Sequence, residues 1–117
     1  MNRKRARLTL LRALVTWDGD PAQLTRELLS SPPFVRSGLV VLRLQDIDAA
    51  IRRFVSGRAS AEDLADWAEC VHTVEDIDLD DAARDLIAQA LFELSTPELF
   101  GSMEDISTSL LRRISSS

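Results

Sequence analysis

Few residues in this chain have the types and spacing for chemistry. The single histidine, His72, and the single cysteine, Cys70, stand two apart. On a helix, positions i and i+2 point in different directions, so the two make a poor nucleophile–base dyad. Cys70 reads as a small, part-buried packing residue, and His72 as a solvated residue at a helix end, where its positive form suits the dipole. Asp76-Ile77-Asp78-Leu79-Asp80 has the alternate carboxylates that open an EF-hand loop. The sixth position of such a loop is Gly and the twelfth Glu; here they are Asp81 and Ile87, so calcium binding of that kind is not supported. One His and one Cys exclude multi-Cys/His metal sites. There is no Gly-rich phosphate loop. We assign no catalytic residue, no metal and no cofactor, and the chain is not read as an enzyme.

What stands out is charge. Residues 1–58 hold 11 basic and 5 acidic side chains, whereas residues 59–117 hold 3 basic and 14 acidic ones. Ten carboxylates fall between Glu62 and Asp85, with Arg84 the only arginine among them. Clustered like charge costs stability through self-repulsion, but it speeds encounter with an oppositely charged partner and selects among partners. The same stretch carries apolar periodicity, so it reads as folded. Glu62, Asp66, Glu69, Glu75, Asp76, Asp78, Asp80 and Asp81 are the candidate contact residues for a basic protein; solvated faces that aid solubility are the plainer reading. At the other end, Arg3, Lys4, Arg5 and Arg7 form a basic cluster, read as an arm toward phosphate or an acidic surface, or as a solvated helix start. Most of the remaining surface would repel nucleic acid, and no basic recognition helix emerges.

These residues must be positioned by helices. The 117-residue length suits one domain spanning 1–117, with residues 1–4 and 115–117 frayed. No apolar run approaches the ~20 residues of a membrane span. The residues behind the basic N-terminus are too broken for a signal h-region, and one cysteine implies no oxidising compartment; a cytoplasmic protein is expected. Leu8, Leu11, Leu14 and Val15 predict a first helix, with Arg7 and Arg12 off its stripe. Asp20-Pro21 starts a short second helix to about Ser30, with Asp20 as N-cap. Ser31 to Gly38 reads as loop, with Phe34 and, later in the chain, Phe100 as caps for the bundle ends. Leu39–Leu42 has no evident strand partner and is read as an extended lead-in or an early helix turn. Ile47, Ala50, Ile51, Phe54 and Val55 give the spacing of an amphipathic helix closed by Gly57. Ser60 caps the next, whose inward face is Leu64, Trp67, Ala68 and Val71. Val74–Asp81 is an acidic connector anchored by Ile77 and Leu79. A long helix spans about Asp81–Leu94, then a single turn at Pro97, then a final helix through Ile114 capped by Ser102. The fold expected is all-α: a single-domain antiparallel bundle of about five main helices plus short turns.

The segment Ile51-Arg52-Arg53-Phe54-Val55-Ser56-Gly57-Arg58-Ala59-Ser60-Ala61-Glu62-Asp63-Leu64-Ala65-Asp66-Trp67-Ala68 resembles small bacterial immunity proteins, the colicin-like and contact-dependent growth inhibition kinds of polymorphic toxin systems. Val74–Ile77 looks like their acidic connector, and Ala90–Glu98 like their late helix and Pro-containing turn. The resemblance covers roughly residues 45–114. It implies an all-helical, non-catalytic protein that binds one cognate toxin C-terminal domain, often a nuclease, and blocks it, with no nucleic-acid or membrane partner. A second reading is a helical interaction or regulatory module, homodimeric through the apolar 34–44 region.

Overall fold

The computed structural model describes the backbone of residues 3–30 and 40–117, with side chains from Arg5 onward. The expectations for Phe34 and for the 31–38 loop lie outside the described residues, as do those for the side chains of Arg3 and Lys4. Among the described residues there are six α-helices: α1 (Arg3–Val15), α2 (Pro21–Leu29), α3 (Leu44–Val55), α4 (Ala61–Thr73), α5 (Arg84–Ser95) and α6 (Met103–Ser116). Two short strands, β1 (Val40–Leu42) and β2 (Ile77–Leu79), and two 3-10 turns complete the described chain. The molecule is therefore mostly helical but not purely so.

The strand pair corrects the reading of residues 40–42, while Leu39 lies outside the described residues. β1 and β2 pair in parallel, with Val40 opposite Ile77, Val41 opposite Asp78 and Leu42 opposite Leu79. Asp80 N–H donates to the Leu42 carbonyl at 3.0 Å. Parallel strands need a crossover, and here α3 and α4 supply it. The partner strand was hidden in the acidic connector: Ile-Asp-Leu is too short to show a pattern of its own, yet its first residue is buried and its last half-buried, as one edge of a covered sheet requires.

Caps set the helix ends. α1 and α3 finish in the same way. Trp17 N–H bonds the Leu14 carbonyl and Asp18 N–H the Ala13 carbonyl; Gly57 and Arg58 repeat this on Phe54 and Arg53. This is the Schellman arrangement, which wants a left-handed residue after the helix. Gly57 supplies it easily at φ 82°, whereas at α1 a tryptophan adopts φ 55°. Asp20 precedes α2, and Pro21 takes the first helical position, but the Asp20 side chain makes no capping bond. Ser60 Oγ accepts from Asp63 N–H, and Asp63 returns the bond to Ser60 N–H, both at 3.0 Å. The helix expected from Asp81 is instead a 3-10 turn, Asp81–Ala83, followed by α5. Asp80 turns the chain there by accepting from Ala82 N–H. At the C-terminus the terminal serines do not fray at once. α6 runs to Ser116, with the Ser115 and Ser116 hydroxyls donating back to the Arg112 carbonyl.

α4 is the centre of the packing: it contacts α1, α2, α3 and α5, while α6 closes against α3 and α5. Its expected inward face, Leu64, Trp67, Ala68 and Val71, is buried. With Leu11, Leu14, Leu28, Leu42, Ile47, Ile51, Ile87, Leu91, Leu94 and Leu110 these residues form one apolar cluster. Each such large side chain contributes ~1.5–3 kcal/mol on burial. Trp67 has its indole N–H satisfied by the Leu14 carbonyl at 2.8 Å, and Trp17 stacks on it at 5.7 Å between ring centroids. Glu93, buried on α5, ties α6 in through Arg113 at 2.8 Å. Burial alone would raise its pKa, but hydrogen bonds from Arg113 and Gln89 outweigh that and hold the carboxyl below its ordinary range.

Candidate functional site

The acidic segment does not form one continuous surface. The fold divides its carboxylates among three different environments. On α4, Glu62, Asp66 and Glu69 project to solvent on the side away from Leu64, Trp67 and Val71. None of the three forms an ion pair among the described residues, and Glu75, exposed just past the helix, resembles them in this. The strip is stiff, because the Ser60–Asp63 capping box fixes its start and Trp67 locks its middle into the core.

Asp20, whose side chain is not engaged in capping, extends the strip. It lies with Asp63 and Asp66 along a cleft of about 280 Å³ between the start of α2 and α4, where Arg53, Arg58 and Trp17 form the remaining wall. The Arg53 guanidinium stands 4.9 Å from the Trp17 ring centre and donates to the Trp17 carbonyl. This contact helps explain how a tryptophan is held in a left-handed conformation. Trp17, Arg53 and Arg58 also line a second cleft of about 460 Å³, with Gln45 and Asp46.

Cys70 borders the acidic strip. Burial pushes its thiol pKa up, Thr25 opposes this, and Asp66, Glu69 and Asp20 each add a smaller upward push. A thiol held protonated in this way is a poor nucleophile. His72 is exposed in the last turn of α4.

The carboxylates of the connector are spent on structure. Asp78 and Asp81 share Arg84, at 3.2 and 2.7 Å. The Asp78 carboxyl is held below its usual range, first by Leu79 N–H and then by Arg84. Asp80 is half-buried and caps the following turn. These positions therefore present less net charge than the sequence suggests.

Asp76 requires a correction. It is 2% exposed, so it is no part of an accessible acidic face. Its carboxylate receives both Arg7 Nε at 2.6 Å and Arg7 Nη2 at 2.7 Å, a two-pronged ion pair across 69 residues of chain. Arg7 Nη1 also donates to the Leu28 carbonyl at the end of α2, at 2.8 Å. Arg7 is therefore removed from the expected basic arm, and one guanidinium joins α1, α2 and the approach to β2. Asp76 turned inward, Asp78 on Arg84 and Asp80 capping do not converge as ligands for a cation.

Two features were not singled out by sequence reasoning. Asp20 was assigned to capping, and its availability depends on where α4 packs. Phe92, off the inward stripe of α5, is exposed and meets Phe100 edge-to-face at 5.3 Å. Its position between Leu91 and Glu93 was the available signal.

Comparison of the chain with protein-family models, with curated proteins and with solved structures returned no match.

Proposed function

We propose that this chain is an immunity protein that binds a cognate bacterial toxin domain in the cytoplasm and neutralises it by occlusion. The observation that carries the reading is the α4 strip: Glu62, Asp66 and Glu69 are exposed on one rigid helix and make no ion pair among the described residues. Asp20 lies along one cleft with Asp66, where Arg53 and Arg58 also stand, and Glu75 is exposed just past the end of α4. A nuclease must present cations to phosphate, and carboxylates fixed on a helix can take the place of that phosphate. The resemblance of residues 45–114 to immunity proteins supports the same reading. No catalytic step is required, since stoichiometric binding is sufficient.

The experiment is to mix the purified protein with the purified C-terminal domain encoded by the adjacent upstream reading frame. The expected result is a 1:1 complex whose association slows as salt rises, because exposed charges are screened within ~10 Å at 0.1 M. Absence of a complex at roughly micromolar concentrations contradicts the reading.

A further inference from the structure

At the α5–α6 junction a second surface has a different character. Phe92 is 46% exposed, Leu99 65% and Phe100 40%. The two rings meet edge-to-face, and Leu99, in the 3-10 turn Pro97–Leu99, immediately precedes Phe100. Thr96 fixes that turn by donating its hydroxyl to the Phe92 carbonyl at 2.6 Å. Three ordered, large apolar side chains in solvent are the composition of an interface centre rather than of ordinary surface. The charges nearest to them in the sequence have one sign. Glu98 lies within the turn, Glu104 and Asp105 are exposed in the first turn of α6, and no Lys, Arg or His occurs from Asp85 through Leu111.

Two arguments identify the occupant. From ~150–250 Å² per large aromatic, the three partly exposed side chains offer only about 250–300 Å², well under the ~800 Å² per partner of a stable interface. A second copy seated here would also bring Glu98, Glu104 and Asp105 against their own duplicates, which like-charge repulsion opposes. The geometry points to a docking patch for a protein surface that carries an apolar pocket rimmed by Lys and Arg. Phe92, Leu99 and Phe100 fill the pocket, and the three carboxylates meet the rim. The patch is a second contact with the basic domain of the proposed function, and it rests on that reading.

The test measures binding of the purified upstream-encoded C-terminal domain to the full chain and to Leu99→Asp and Phe100→Ala. Each variant is expected to bind roughly tenfold or more weakly with an unchanged far-UV spectrum, and Glu98→Lys is expected to slow association. If Phe100→Ala loses stability, Leu99→Asp still decides, because Leu99 is two-thirds exposed and lies outside the core. Wild-type binding with Leu99→Asp within twofold of it overturns the patch and leaves the proposed function standing. No wild-type binding overturns both. A wild-type dimer in sedimentation that Leu99→Asp disperses makes the occupant a second copy and also overturns the proposal.

Discussion

Arg7 and Asp76 meet in a buried, two-pronged ion pair, with Nε–Oδ2 at 2.6 Å and Nη2–Oδ1 at 2.7 Å. The pair joins the first helix to the strand that follows α4, and its third arm satisfies the Leu28 carbonyl. A buried pair adds little net stability over an apolar replacement, but removal of one partner strands the other charge. Arg7→Met and Asp76→Leu alone are each expected to cost ~3–5 kcal/mol. The double variant should cost clearly less than the sum, although the Leu28 carbonyl loses its donor wherever Arg7 is replaced. Urea unfolding with an unchanged slope measures this; a single variant within about 1 kcal/mol of wild type contradicts the role given to the pair.

The α4 capping box gives a pH-dependent expectation. Ser60 N–H, and then the Ser60 hydroxyl, hold the Asp63 carboxyl below its ordinary range. A folded-state value below the unfolded one, about 3.9, gives a contribution fully present above the unfolded value and lost as pH falls through the folded one. Ser60→Ala is expected to cost ~1 kcal/mol at neutral pH. Asp63→Asn should flatten the acid limb of the stability profile below about pH 4. Unfolding curves from pH 3 to 7 check both, and an unchanged acid limb in Asp63→Asn counts against the capping account.

Much of the helical frame was legible in the sequence because its signals are local. The stripe of Ile47, Ala50 and Ile51, the Gly57 stop, the Ser60 cap and the Trp67 face each follow from residues within a turn or two of one another. The parallel pairing of Val40–Leu42 with Ile77–Leu79 was not legible, since its two halves lie across a two-helix crossover and neither is longer than three residues. For the same reason Arg7 and Asp76 read as solvated charges: residue type suggests exposure, and only the partner 69 positions away reverses it. The acidic site was legible in part. Helical spacing puts Glu62, Asp66 and Glu69 on one face and Arg84 within reach of Asp81, three residues before it, but nothing local shows that the same guanidinium also reaches Asp78 or that Asp20 is left free of capping.

That division of the acidic segment can be tested directly. Glu62→Lys/Asp66→Lys/Glu69→Lys is expected to keep the fold, since all three are exposed and none forms an ion pair among the described residues. It should weaken binding of the upstream-encoded domain by tenfold or more, mainly through slower association. Asp78→Asn/Asp81→Asn, which releases Arg84, should change binding much less. Circular dichroism and association kinetics at two salt concentrations check this. A larger effect of the connector pair than of the α4 triple would mean that the connector, not the α4 strip, meets the partner.

The measurement closest to the central claim is growth under co-expression. The C-terminal domain of the adjacent upstream reading frame is induced in bacteria with and without this chain. The expected result is arrest by the domain alone and restored growth with wild type, with the α4 triple reversal failing to protect. A harmless domain, or one that arrests growth regardless of this chain, would contradict the immunity reading and favour an interaction module with another partner.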